Sequence, residues 1–424
     1  MSALQKWNPF RGSSLWVPNR EVEKILNRMA SVLGRNHRMF RPLLVIAFTL
    51  QLAGASAAAD SVSDFATGLQ FPVKLLLTDQ GNLLVSEAGP APNTGRISIV
   101  NRQGVRRSLM EGLASGGHAS ADGPPLGPAG LVLRGRILYV CNGDGGLIVP
   151  GVVARTQAPN PAGPPSPLSS TILKIRLSSD VDAIQFGFAL TPAHHTALGE
   201  GQVVTLLNAA GDRAEIEIHA AFRPYVRDPF LAVRQSNPHA LIMWRGEEEM
   251  WRGEGEDDEE EGQSFYVADA GMDALVKVDT KTGRMQTFVK FPRILNPSGG
   301  TLDSVPNSIR LFGDEALVSL MGGVPFPPGL ARVRAVNLRT GAIRPVIDGL
   351  TASIDVLPQK LKGNRDRIFT LEFFLGRLMR FDSGVGTQVA GGLTTPTAMA
   401  QDPNTGDLFV TEFATGKILR VPVP

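Results

Sequence analysis

Beyond residue 60 the chain alternates short apolar runs with breaks rich in Gly, Asn and Asp. Near the C-terminus, the turn Asp402–Gly406 leads into Leu408–Thr411, a second turn follows around Gly416, and Ile418–Val421 completes the unit. β-Favouring runs bounded by such residues predict hairpins. The unit recurs. Gln80–Glu87 followed by Gly95–Val100 is one copy, and Gln263–Asp269 followed by Ala274–Asp279 is another. Gly135–Asn142, Asp314–Leu320 and Arg367–Glu372 are weaker copies. The residues closing these strands are Glu87, Asn142, Asp269, Leu320, Glu372 and Glu412, spaced 55, 127, 51, 52 and 40 apart. A repeat built of short strands cannot bury both faces of each small sheet alone, so stacking the sheets in a ring is the physical solution. The expectation is an all-β, six-bladed β-propeller over 60–424. The long interval holds a blade plus a β insertion, at about 150–235, or else conceals a seventh blade.

Phe65–Pro72 and Val389–Pro396 share Gly-Leu-x-x-Pro, and a proline without a ladder donor marks a strand entry. Asp64–Thr67 precedes the first complete blade, so it is expected to supply the outer strand of the last one and remove both sheet edges. His118–Gly130 reads as a loop, and Pro150–Pro167 as a long connection. Within the insertion the pattern predicts strands at Ile172–Leu177, Ile184–Leu190, Val203–Leu207 and Glu215–His219. His194-His195 reads as an exposed loop pair, because no acidic cluster accompanies it. Cys141, the one cysteine, reads as a buried strand residue.

Met39–Ala59 has a charged start, an apolar core and small residues suited to cleavage, the three parts of a secretory signal. This predicts a secreted or periplasmic protein that touches a membrane only if the signal stays uncleaved. Residues 1–38 sit oddly before it, and Trp7–Arg11 with Arg20–Met29 resembles the opening of small heat-shock proteins; Met39 is the expected start. Of the 42 Lys and Arg and 40 Asp and Glu, eight and two lie in the first 59 residues, leaving 34 bases against 38 acids. An acidic body of this kind excludes a nucleic-acid partner. Ten of those acids crowd into Glu247–Glu261, a run that repels itself and predicts a solvated loop.

An ordered set of segments is similar to the ScyD/ScyE family, named for scytonemin-biosynthesis clusters. It comprises Val85–Gly89, Ser304–Ile309, Phe326–Val333, Gly349–Val356, Thr395–Ala398 and Leu408–Glu412. The resemblance spans nearly all of 60–424. It implies an exported six-bladed propeller related to NHL-repeat proteins and no established reaction. Leu320 departs from the acidic strand end.

In a propeller, strand entries and the following strand ends open on one face. Glu87, Asn142, Asp269, Glu372 and Glu412 should therefore gather near a rim, with Asn307 and Asp355 closer to the axis. Converging carboxylates and amides suit a hard cation such as Ca²⁺ or a small polar ligand. The plainer reading is that they satisfy backbone donors of the turns. The enzymatic alternative is a metal-dependent lactonase or esterase of the gluconolactonase type, for which only Asn307 and Asp355 are plausible inner-strand ligands and no matching glutamate stands near Phe71-Pro72. No phosphate loop, nucleophile elbow or Cys–His cluster is present, so no catalytic residue is assigned. The expectation is a monomeric binding or scaffold protein whose partner is a small polar ligand or another protein.

Overall fold

Each apolar run becomes a strand because its residues bury against neighbouring sheets while the Gly and Asn breaks allow tight reversals. The computed structural model describes residues 62–117, 125–150, 157–161, 165–222, 225–227, 233–245, 263–361 and 365–423. These form six antiparallel blades. The inner strands are Pro72–Leu77, Pro128–Arg134, Pro238–Arg245, Pro306–Phe312, Ser353–Leu361 and Pro396–Gln401 in blades 1 to 6. Each lies beside the inner strands of the two adjacent blades, so the ring is closed around an axis. The seventh-blade alternative does not hold: among the described residues the long interval contains the rest of blade 2 with its additions, a short strand that joins blade 1, and the inner strand of blade 3, Pro238–Arg245.

Six buried clusters lie between the six pairs of blades. Ile97 and Ile99 meet Leu138 and Ile175 between blades 1 and 2, and Tyr139 meets Phe265 between blades 2 and 3. Tyr266 faces Val318 at the next contact, and Leu317 faces Val356 at the one after. Leu371 meets Val410 between blades 5 and 6, and Phe409 meets Leu75 where the last blade returns to the first. Burying such residues stabilises by roughly 1.5–3 kcal/mol each, so adhesion between blades holds the ring. Ser63–Ala66 pairs antiparallel with Lys417–Val421, Ser63 opposite Arg420, as the displaced N-terminal run predicted.

Blade 2 departs most from the sequence reading. Its inner strand begins at Pro128, inside the stretch assigned to a loop. Thr171–Leu177 and Arg213–Ala221, placed by pattern in the insertion, are its third and fourth strands, and Val204–Leu207 is a fifth. Only Phe188–Ala189 of the predicted Ile184–Leu190 strand forms, pairing parallel to Arg106–Leu113 of blade 1. Pro192–Gly199 is a helix, the one helix among the described residues. His194-His195 is thus not a loop pair. His195 is buried, with Nδ1 at 2.9 Å from the Ser166 hydroxyl and Nε2 at 2.7 Å from the Gly112 carbonyl, and it pins the helix against blade 1. Ile148–Pro150 and Gln157–Pro159 form a small ladder in the expected long connection. The leader and the acidic run lie outside the described residues.

Adjacent blades are also keyed by glycine. Gly416 has φ +65°, and a Cβ there would stand 2.1 Å from the Leu69 carbonyl oxygen. Its own carbonyl accepts the Leu69 N–H at 3.0 Å. Gly416→Ala should therefore destabilise the protein by on the order of 2–4 kcal/mol in denaturant unfolding, from backbone strain and a lost interblade contact. A change below 0.5 kcal/mol would show the contact to be dispensable.

Candidate functional site

Every inner strand starts the same way. After one paired residue an extra residue bulges: Val73 between the Pro72–Glu87 and Lys74–Ser86 pairs, His239 in blade 3, Asn307 in blade 4, Ile354 in blade 5 and Thr397 in blade 6. In blade 2 two residues, Ala129 and Gly130, stand against Cys141 alone. A bulge of this kind re-aims the side chains that follow it. The residue before each entry has its carbonyl oxygen capped. Ala88, Met321, Phe373 and Phe413 donate their N–H groups to Phe71, Val305, Ala352 and Thr395 at 3.0 Å, and Gly143 and Ala270 do the same to Gly127 and Asn237 at 2.9 Å.

The strand-end acids complete this lock. Glu412 accepts the Thr394 N–H at 2.6 Å and the Thr415 hydroxyl at 2.7 Å. Glu372 accepts the Thr351 N–H at 2.6 Å and pairs with Arg377. Glu87 accepts the Gln70 N–H and the Ser98 hydroxyl and meets Arg96 at 2.7 Å. Asp269 takes the Asn237 N–H at 2.8 Å, the Ser236 hydroxyl and the Gly271 and Met272 N–H groups at 3.2 Å. Burial nonetheless holds Asp269 above the usual carboxylate range, against those donors. The oxygens of these four acids are occupied in holding strand entries.

Two blades do without the acid. In blade 4, where Leu320 stands, the Asp273 carboxylate from blade 3 accepts the Val305 N–H at 2.8 Å. In blade 2 the Leu126 N–H goes to Gly116 O, and Asn142 is fully buried with neither amide atom partnered. Among the described residues, no three His, Cys, Asp or Glu side chains form a metal-holding group. Glu412→Leu, which copies blade 4, should cost about 1–3 kcal/mol by leaving the Thr394 donor buried without an acceptor. Denaturant unfolding of this variant beside the unaltered protein checks the loss.

The bulges turn a different set of side chains inward. Asp355 of blade 5 is fully buried; Oδ1 accepts the Ser308 hydroxyl of blade 4 and its own Val356 N–H, and Oδ2 accepts the Met399 N–H of blade 6 at 2.8 Å. Arg310 of blade 4 reaches the same oxygen at 3.2 Å and the Met399 carbonyl at 3.1 Å, passing blade 5 to do so. Lys74 of blade 1 is 5% exposed and interacts electrostatically with Asp355 and Arg310. His239 of blade 3 lies by Lys74 and Asp355, donating from Nδ1 to the Asn307 carbonyl at 2.9 Å. Asn307 itself is buried, with Nδ2 3.0 Å from the Met321 sulfur. Of the expected axial pair, Asp355 enters this cluster by its side chain, whereas Asn307 takes part through its backbone.

Burial pushes Lys74 down to about 8, with Asp355 pulling it up and Arg310 pushing it further down. Burial, with Lys74 beside it, lowers His239 to about 3, so its ring is neutral at pH 7. Burial raises Asp355, but the Arg310 and Lys74 charges outweigh it and hold the carboxyl below its ordinary value. Among the described residues, Lys74 Nζ and Arg310 Nε have no hydrogen-bond partner. Two cations thus share a carboxylate whose acceptor sites are taken. Below about pH 8 both native and unfolded chains carry the Lys74 proton, and the native state bears the penalty of burying it; between about 8 and 10.5 the unfolded chain holds more protons, so stability rises with pH. Lys74→Met should raise stability at pH 7 by on the order of 1–3 kcal/mol, the gain fading towards pH 10, in urea unfolding against pH. A loss at pH 7 would contradict it.

Lys74, His239 and Arg310 are the functional candidates that the strand-end alignment missed. The available signal was a charged residue inside an apolar inner strand, as in Val73–Leu77 and Ile309–Leu311. Cys141 is fully buried, and burial, then Asp269, raises its thiol, as suits a core residue.

No protein-family model matches the chain. No curated protein matches it either. Among solved structures, it is similar to virginiamycin B lyase from Staphylococcus aureus at 10% identity, over 86% of this chain and 98% of that one, with a TM-score of 0.44. A Thermus thermophilus oxidoreductase described as a glucose dehydrogenase gives 12%, 85%, 99% and 0.45 in the same order. The PQQ-bound aldose sugar dehydrogenase of Streptomyces coelicolor gives 13%, 86%, 98% and 0.42.

Proposed function

We propose that this propeller is a binding protein that takes a small organic anion at its axis, beside Lys74 and Arg310. The observation that carries this reading is that Lys74 Nζ and Arg310 Nε are buried without a hydrogen-bond partner, although Arg310 Nη2 is held by Asp355, whose acceptor sites are taken. Leaving such donors empty costs about 1–3 kcal/mol each, and a carboxylate ligand would satisfy both. His239, neutral at pH 7, adds no counter-charge. Phe71 and Phe413, their ring centroids 5.1 Å apart and tilted, pack with Val73, the residue before Lys74, and with Ala88 and Ala129, an apolar group that suits an organic acid.

A Ca²⁺ site of rim carboxylates is the reading this displaces, because those oxygens already hold backbone donors and arginines. The lactonase reading needs Asn307 and Asp355 as metal ligands, yet the Asn307 amide nitrogen faces Met321 and Asp355 already accepts from Ser308, Val356 and Met399. Export and the finer ScyD/ScyE assignment are part of the same proposal, resting on the signal-like Met39–Ala59 stretch and the ordered segments.

Calorimetric titration of the full chain with acetate, propanoate, benzoate and CaCl₂ tests the site. Heat is expected with the carboxylates, and Arg310→Gln should weaken binding about 10- to 100-fold, the value of a charge-assisted hydrogen bond. Heat with CaCl₂ alone would overturn the reading.

A further inference from the structure

Blade 4 lacks one acidic side chain, and the groups that hold it in other blades remain. In blades 1, 5 and 6 the strand-end glutamate accepts the N–H two residues before the inner strand, from Gln70, Thr351 and Thr394. It also stands opposite a basic residue near the start of the third strand. Arg96 faces Glu87, Arg377 faces Glu372 and Lys417 faces Glu412. Arg96 and Arg377 close ion pairs with those acids.

Blade 4 keeps the basic residue, Arg332, but sets it opposite Leu320. It keeps the backbone donor too. Asp273 takes the Val305 N–H, one residue nearer the strand. The N–H of Ser304, at the position of Gln70, has no acceptor among the described residues. Ser304 is 1% exposed, and a buried donor left so costs about 1–3 kcal/mol.

Arg332 is no better served. Its Nε reaches the Leu330 carbonyl at 3.3 Å and lies 3.9 Å from Asp348, whose carboxylate Arg334 holds at 2.6 Å. Its two Nη groups make no hydrogen bond among the described residues. Burial, then the Arg334 charge, lowers Arg332 against the pull of Asp348, so two cations share one carboxylate. Arg332 and Arg334 are two apart on one strand and project to the same face. That face lines a cavity of about 250 Å³ between blades 3 and 4, with Ser304 beside it and Phe291, Leu320 and Ile343 as apolar walls. A benzene ring needs only about 150 Å³.

We propose that this cavity binds an organic acid with an apolar body, its carboxylate standing where blade 4 lacks a glutamate. The carboxylate accepts the Ser304 N–H and meets Arg332, the two contacts that Glu87 makes with Gln70 and Arg96. The body covers Phe291, Leu320 and Ile343. Acetate or chloride satisfies the donors but leaves those walls in water, so the body decides the affinity. The site is separate from the axial one, since neither Lys74 nor Arg310 lines the cavity.

Calorimetric titration of the full chain tests the site, in the Arg310→Gln background where the axial site is weakened. Benzoate should bind at least tenfold more tightly than acetate, and benzyl alcohol, which lacks the charge, should give no heat. Adding Arg332→Gln should weaken benzoate about 10- to 100-fold. Adding Leu320→Glu supplies the missing carboxylate from within the chain. It should abolish benzoate binding while the urea midpoint stays at or above that of Arg310→Gln. In the otherwise unaltered chain, Leu320→Glu should remove one equivalent from the benzoate stoichiometry. Benzoate heat that neither Arg332→Gln nor Leu320→Glu changes overturns the site. So does the absence of benzoate heat in Arg310→Gln; heat from the unaltered protein then leaves the axial reading standing, and silence from every carboxylate overturns both.

Discussion

Asp355 is the point at which the ring becomes more than a stack of sheets. A carboxylate without solvent needs donors, and this one draws them from three blades, through Ser308, its own Val356 and the backbone of Met399. Its charge also makes tolerable the two cations beside it, which would otherwise repel each other in a poorly solvated space. Remove the carboxylate and the axis holds Lys74 and Arg310 with nothing to balance them. The geometry around the axis is therefore an electrostatic arrangement as much as a packing one.

Structural and candidate functional roles separate cleanly along the inner strands. At the first paired position, the acids at the ends of the second strands serve the backbone, four of them directly. Blade 4 shows that the duty can move, since Asp273 performs it from the next blade where Leu320 cannot. One bulge further in, the requirement is no longer local, and the side chains there have partners one or two blades away. The rim repeats because each blade must solve the same hydrogen-bonding problem; the axis does not repeat because it exists once.

That distinction explains what could be read from the chain. Blade count, closure by Asp64–Thr67 and the buried Cys141 were legible because each leaves a periodic or local mark. The third and fourth strands of blade 2 were obscured because 35 residues intervene between Leu177 and Arg213, and period is lost across such a gap. Glu87, Asp269, Glu372 and Glu412 stood out for the same reason the blades did, and their repetition was the sign of a structural duty. Lys74, His239 and Arg310 occupy three different offsets from their entry prolines, so alignment of the repeats cannot bring them together. Only the closed ring does.

The pairing of Ser63–Ala66 with Lys417–Val421 also sets a timetable. As the chain is made from its N-terminus, Ser63–Ala66 has no partner until Lys417–Val421 emerges. Blades 1 to 5 can assemble in sequence, each on the one before, but the edge left by the first strand stays open throughout synthesis. Completion is a single late event spanning some 350 residues of chain, and long-range pairing of that kind is slow. The axial cluster shares that lateness, because Lys74 belongs to the first blade and Asp355 to the fifth. Until the circle shuts, the protein has most of its fold and no axial charge cluster.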